Sequence, residues 1–199
     1  MDSPLGSHQE KITNFFRINA KLRAEEAEYA SGFFRHTYLR KKEHLFSEGE
    51  ICKYASYITK GCVRFYSIDD NVKEHVLFFG FEDWWVSDLE SFESQKPSVY
   101  NVQAIEDTDI MQASHRDFFK LCDELPTFKH GYLEATHKGY LAFIKRMTEL
   151  RSGPPDERYL NLIRSHPQVL QRIPQQYIAS YLGIEPQSLS RLRKKLFAE

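Results

Sequence analysis

Apolar residues along this chain change period three times. Between His8 and Arg35, Ile12, Phe15, Phe16, Leu22, Tyr29 and Phe33 stand among charged residues, which predicts a helical N-terminal segment. From His36 the pattern shortens. TYLRKKEHLF, YASYITKG, CVRFYSIDD and VKEHVLFFG are brief runs rich in Tyr, Val, Ile and Phe, broken at Glu48-Gly49-Glu50, Lys60-Gly61 and Asp69-Asp70-Asn71. Strands spaced at ~8–12 residues and separated by such turns predict a β-sandwich or barrel. SVYNVQAIED and TDIMQASH carry the same character to about residue 115.

Helical spacing then returns. Arg116–Leu121 predicts a short helix ahead of Pro126. Beyond it Leu133, Thr136, Tyr140, Phe143, Met147 and Leu150 recur at intervals of 3, 4, 3, 4 and 3. That is an a/d seam of under three heptads. Such a stripe packs either on the chain's own β-domain or on a second copy. Ser152-Gly153-Pro154-Pro155 ends it as a hinge, and Asp156-Glu157 open another helix, with acids where the helix dipole favours them. Tyr159, Leu160, Leu162 and Ile163 form the core side of that helix, which Pro167 stops.

The last 28 residues are the most informative. QQYIASYLG stops at Gly183, and three residues later Pro186 opens a basic helix. Gly supplies a left-handed turn after one helix, and Pro has its φ preset for the first turn of the next. This is the spacing of a helix-turn-helix, whose second helix can lie in the DNA major groove. Ile178, Ala179 and Leu182 are expected to face inward and Ile184 to plug the turn. In the second helix Leu189, Leu192 and Leu196 form a core side, which leaves Gln187, Ser188, Arg191, Lys194 and Lys195 outward. Arg can bond guanine O6/N7 in bidentate fashion, and Gln adenine N6/N7. Ser188, Gln175 and Gln176 are candidate phosphate contacts, which position without specifying. An adjoining DNA module favours the second-copy reading of the seam, because two half-site readers need a two-fold axis.

Charge supports this division. The formal net charge of the 199 residues is −1, but residues 151–199 carry eight Lys/Arg against four acids, a balance of +4 that leaves −5 for residues 1–150. A basic end on an acidic body suits a regulator with a separate nucleic-acid module. No apolar run approaches the ~20 residues needed to cross a bilayer, and Met1–Glu10 lacks the regions of a signal peptide, so a cytoplasmic protein without membrane contact is expected. The opening DSPLGSH carries no structural signal. Cys52, Cys62 and Cys122 form neither a framework nor a C-x-x-C and read as reduced, buried thiols. His36, His44, His75 and His115 lack metal-ligand spacing, so no metal and no cofactor are expected. No Ser/His/Asp or Gly-rich phosphate signature points to an enzyme, which leaves a cupin-like catalyst without support.

Read whole, the order is helix, β-roll with Gly-marked turns, seam helix, hinge, helix-turn-helix. It resembles the Crp/Fnr superfamily of bacterial transcription regulators over about residues 12–196. FSEGEICKYASYITKGCVRFYSIDDNVKEHVLFF resembles that family's β-roll, with Gly49 and Gly61 at its turn glycines. IPQQYIASYLGIEPQSLSRLRKKL resembles its helix-turn-helix through Ala179, Gly183, Ile184, Leu189 and Arg191. EDWWVSDLESF and QYIASYLGI further resemble a ligand-orphan subgroup from Bacteroidetes.

The resemblance implies an α+β chain: a β-roll (a cyclic nucleotide-binding-like jelly roll) with an N-terminal helix over 1–125, a dimerisation helix over 126–151 and a helix-turn-helix domain over 152–199, lacking a C-terminal wing. It implies a homodimer on a pseudo-palindromic double-stranded DNA operator, with RNA polymerase as a further partner and no enzymatic activity. Arg191 matches a base-reading arginine of the family, and Gln187 replaces a frequent glutamate there. Cyclic-nucleotide binders of the family carry Gly-Glu-Leu and then Arg-Ser-Ala, whereas this chain has Ser87-Asp88-Leu89 and Ser98-Val99-Tyr100. Serine cannot restore the charge-assisted bidentate bond of the missing arginine, so a cyclic-nucleotide response is not expected. Trp84, Trp85, Asp88, Ser98 and Tyr100 are the candidate pocket for another small-molecule effector. In the competing reading the aromatics fill that space and the regulator is constitutive. A β-roll sensor whose C-terminal domain binds protein instead of DNA is the alternative function.

Overall fold

The computed structural model describes residues 4–197. Two antiparallel four-stranded sheets face each other across an apolar core. Their strands are β1 (Arg35–Leu39), β2 (His44–Phe46), β3 (Tyr54–Lys60), β4 (Val63–Ile68), β5 (Glu74–Gly80), β6 (Trp85–Val86), β7 (Asn101–Ala104) and β8 (Thr108–Ser114). One sheet runs β1-β8-β3-β6 and the other β2-β7-β4-β5. This is the expected jelly roll. The Asp69 turn closes a hairpin within one sheet, with the Asp69 carboxylate accepting from the N–H groups of Asn71 and Lys73. Gly61, by contrast, joins strands of different sheets and is a corner. Its φ is +100°, and a Cβ there would lie 2.5 Å from Thr108 Oγ1 and 2.7 Å from Thr108 Cα. Only glycine suits such a backbone at such a distance.

The N-terminal segment is two helices where the sequence pattern suggests one. α1 spans Pro4–Ile18 and α2 spans Ala24–Ser31, separated by a turn in which Lys21 has φ 55°. Residues 4–8 of the DSPLGSH stretch form the start of α1; its first two residues lie outside those described. Ile12 and Phe16 of α1, Leu22, and Ala27 and Ala30 of α2 are buried with the roll's Tyr57, Ile58, Phe65, Met111 and Ala113. A short helix α3 (Leu89–Ser94) follows β6, and α4 (His115–Glu124) leaves β8 with Ser114 as its N-cap. α5 then runs for 27 residues, Pro126–Ser152.

Beyond α5 lie α6 (Pro155–Ser165), a one-turn α7 (Val169–Arg172), α8 (Gln175–Leu182) and α9 (Pro186–Phe197). α8 ends at Gly183, whose φ is 66°, and the N–H of Ile184 reaches back to the carbonyl of Ala179 at 3.0 Å. That is the Schellman closure which glycine permits. Ile178, Ala179, Leu182 and Leu189 are buried, as the spacing predicts. What they are buried against was not legible: Cys62, Tyr66, Val76, Phe79, Phe81 and Ile105 of the roll belong to the same core. The helical end therefore docks on the roll.

Side chains fix this docking. Ser180 Oγ accepts from the N–H of Val76 and donates to the carbonyl of Glu74, both at 2.9 Å, so one hydroxyl serves two groups on the free edge of β5. The Arg146 guanidinium donates to the carbonyls of Val76 and Tyr181 and stacks on the Tyr181 ring 3.7 Å away. Arg172, on the unforeseen α7, grips Glu82 through two bonds of 2.8 Å and also bonds Glu106. Glu82 additionally accepts from the N–H of Gly61, so the corner and the latch share one carboxylate. Burial pushes the Glu82 carboxyl up, but the Arg172 and backbone bonds outweigh it and hold it below its ordinary value.

Two outcomes follow for stability. Gly61→Ala should cost about 3 kcal/mol in urea unfolding, from backbone strain together with the clash at Thr108. Arg172→Ala should cost about 1–2 kcal/mol near neutral pH, less than a fully buried pair because both carboxylates are about one-third exposed. Glu82 titrates lower when folded, so its stabilisation is present above the ordinary value of 4.5 and lost as pH falls through the folded one. Unfolding curves of the two proteins should accordingly converge in that acid window.

Candidate nucleic-acid interface and sensor cavity

α9 presents two different faces. Leu189 is fully buried, and Leu192 and Leu196 pack partly against the same core. Gln187, Ser188, Arg191, Lys194 and Lys195 are all exposed on the opposite side. Among the described residues no ion pair engages Arg191, Lys194 or Lys195, so their charge is free for a polyanion. Glu185, just before the helix, is occupied by Lys73 of the roll at 2.7 Å. Gln175 and Gln176 are exposed in the first turn of α8. The expected DNA-facing residues thus lie on two successive helices and face solvent.

On α5, Leu133, Tyr140, Phe143 and Met147 are between 40% and 60% exposed. Two apolar residues outside the a/d reading, Leu141 and Ile144, share that exposure. With 100° per residue, Leu133, Tyr140, Ile144 and Met147 fall along the middle of the stripe. Thr136 and Leu150 lie at its side and are half-buried. The Thr136 hydroxyl bonds the carbonyl of Tyr132 on its own helix.

A cavity of about 1140 Å³ opens between the roll, α1 and α5. Trp84, Trp85 and Tyr100 line it, together with Phe15, Phe16, Phe65, Phe78 and Phe92, so the aromatics do not fill the space. Asp88 and Ser98 are not part of its wall. The Asp88 carboxylate caps α3 by accepting from the N–H of Ser91, and Ser98 Oγ is engaged by the backbone of Tyr100 at 3.0 Å. Both are buried and spent on local turns, which corrects the expectation that they face a ligand. Cations line it as well: Lys138, Lys145 and Arg146 of α5 and Arg158 and Arg164 of α6.

Cys52, Cys62 and Cys122 are free and buried, and burial raises all three thiols above their ordinary value. His44 meets the Tyr66 hydroxyl, His75 pairs with Asp69, and His115 packs on Phe92 and Phe119. His36 is different. With His8 of α1 and Asp109 of β8 it forms a cluster whose donor atoms lie within 4.8 Å of one another. No local spacing could announce it, because the three residues come from three elements. Among the described residues no helix is long and apolar enough to cross a membrane.

Residues 36–124 match the family model of the cyclic nucleotide-binding domain. No curated protein sequence matches the chain. Solved structures do. FixK2 from Bradyrhizobium japonicum is 19% identical, with a TM-score of 0.71 over 83% of this chain and 85% of that one. The c-di-GMP responsive global regulator CLP of Xanthomonas campestris is 16% identical, with a TM-score of 0.72 over 88% and 92%. The Thermus thermophilus catabolite activator protein is 19% identical, with a TM-score of 0.57 over 88% and 84%. Residues 36–124 are thus similar to the cyclic nucleotide-binding domain, and the chain shares its fold with these solved structures.

Proposed function

We propose that this chain is a sequence-specific DNA-binding transcription regulator that acts as a homodimer and does not respond to cyclic nucleotides. The observation that carries the reading is α9: an exposed face of Gln187, Ser188, Arg191, Lys194 and Lys195, free of acidic partners among the described residues, on a helix held by a Schellman turn. Arg191 is the candidate base reader, Gln187 the second, and the lysines and Gln175/Gln176 hold phosphates. The fold supports the division of labour. Residues 1–125 form the sensor-like part, 126–151 the dimer helix and 152–199 the reader. α5 supports the dimer, because its exposed stripe from Leu133 to Met147 is the kind of seam that a second copy covers.

Ser98 and Asp88 support the lack of a cyclic-nucleotide response. The position that would need a guanidinium holds a buried hydroxyl bonded to its own turn. The Asp88 carboxylate, where the binders carry a glutamate, already accepts from the N–H of Ser91 as the cap of α3.

The test uses fragments selected from genomic DNA at stated salt, since non-specific binding depends steeply on it. Arg191→Ala should cost ~1–3 kcal/mol and relax specificity at one base pair per half-site. Cyclic AMP or cyclic GMP should leave the wild-type affinity unchanged. Undiminished selectivity in the variant would refute Arg191 as reader, and a nucleotide-dependent affinity would refute the orphan sensor.

A further inference from the structure

His8, His36 and Asp109 lie apart from both the reading helix and the aromatic cavity, and their hydrogen bonds leave a cation position between them. His36 and Asp109 sit diagonally on paired strands, since His36 is opposite Met111 and Tyr38 opposite Asp109. His36 Nε2 lies 2.7 Å from Asp109 Oδ1 and donates to it. The proton of Thr59 Oγ1 is committed to the carbonyl of Asp109 at 3.0 Å. His8 Nδ1, 2.8 Å from that hydroxyl oxygen, must therefore be the donor. A neutral imidazole with its proton on Nδ1 has a lone pair on Nε2. That lone pair faces Asp109 Oδ1 at 3.7 Å, acceptor against acceptor.

We propose that His8, His36 and Asp109 bind one divalent first-row transition-metal ion. Two imidazoles and a carboxylate are the donor set of open zinc sites and of related first-row centres, and the fourth position is left to water. Coordination moves the His36 proton from Nε2 to Nδ1 through solvent, so both imidazoles stay neutral and no net proton is released. The two rings, stacked at 4.7 Å and 18°, must fan apart so that each lone pair points at the ion.

The ion would join α1 to β1 and β8. α1 also supplies Phe15 and Phe16 to the cavity wall, and its Lys11 is already tied to the carbonyl of Thr59 at 2.9 Å. Metal occupancy therefore fixes a wall of the cavity from outside it.

Calorimetric titration of chelator-treated, chelator-free full-length protein with zinc chloride tests this, alongside visible absorption with cobalt(II). The expected result is one ion per chain with micromolar or tighter affinity and cobalt bands of nitrogen/oxygen coordination. Saturating zinc should raise the thermal midpoint by about 5 °C. His8→Gln and His36→Gln should each weaken binding about tenfold or more, with far-UV circular dichroism unchanged, while His75→Gln leaves it intact. Because His8 sits near the start of α1, His8→Gln decides the matter if His36→Gln fails to fold. Absence of stoichiometric binding, thiolate charge-transfer bands with cobalt, or full affinity in His8→Gln would overturn the assignment.

Discussion

The free edge of β5 governs how the two halves of this chain are joined. An edge strand offers unpaired N–H and C=O groups that must be covered or left to water. Here Ser180 serves the Val76 N–H and the Glu74 carbonyl, and Arg146 serves the Val76 carbonyl. Beneath them Val76, Phe79 and Phe81 continue into the core of Ile178, Ala179 and Leu182. Edge bonding is directional, so α8 has one register on the roll. Gly183 and Leu189 then fix α9 to α8, and the face that carries Arg191 is turned away from the roll. Arg172, Glu82 and Gly61 form a second tie between a sheet corner and the helical end.

Most elements were legible because they are local. The roll follows from alternating β-branched and aromatic runs, and the helix-turn-helix follows from Gly183, Pro186 and the leucine spacing. The N-terminal split was missed because Asn19 to Arg23 contains no Gly or Pro, and the turn is made by Lys21 at positive φ. α7 was missed because a single turn has no period to detect. On α5, Ile144 lies nearer the middle of the exposed stripe than Phe143, a distinction that depends on which side packs on the roll. Asp88 and Ser98 were assigned to the pocket by analogy of position, and caps and turns claim them instead. The His8–His36–Asp109 cluster needs three elements to meet, and no one-dimensional spacing encodes that.

On the proposed reading, the chain keeps its output and has an altered input. Among the described residues the basic face of α9 has no ion pair, while the position that aligns with the family's phosphate-binding arginine holds Ser98. α1 and α5 border that same cavity. A change at the cavity would therefore reach α5, which lies between the roll and the reader and holds both through Arg146.

The central claim, that α5 pairs two such readers, is tested most directly by hydroxyl-radical footprinting on a selected genomic fragment, with the mass of the complex measured in parallel. The account predicts two chains per duplex. It also predicts two protected patches on one face, related by a dyad and about one helical turn, roughly 34 Å, apart. A single protected patch occupied by one chain would contradict it.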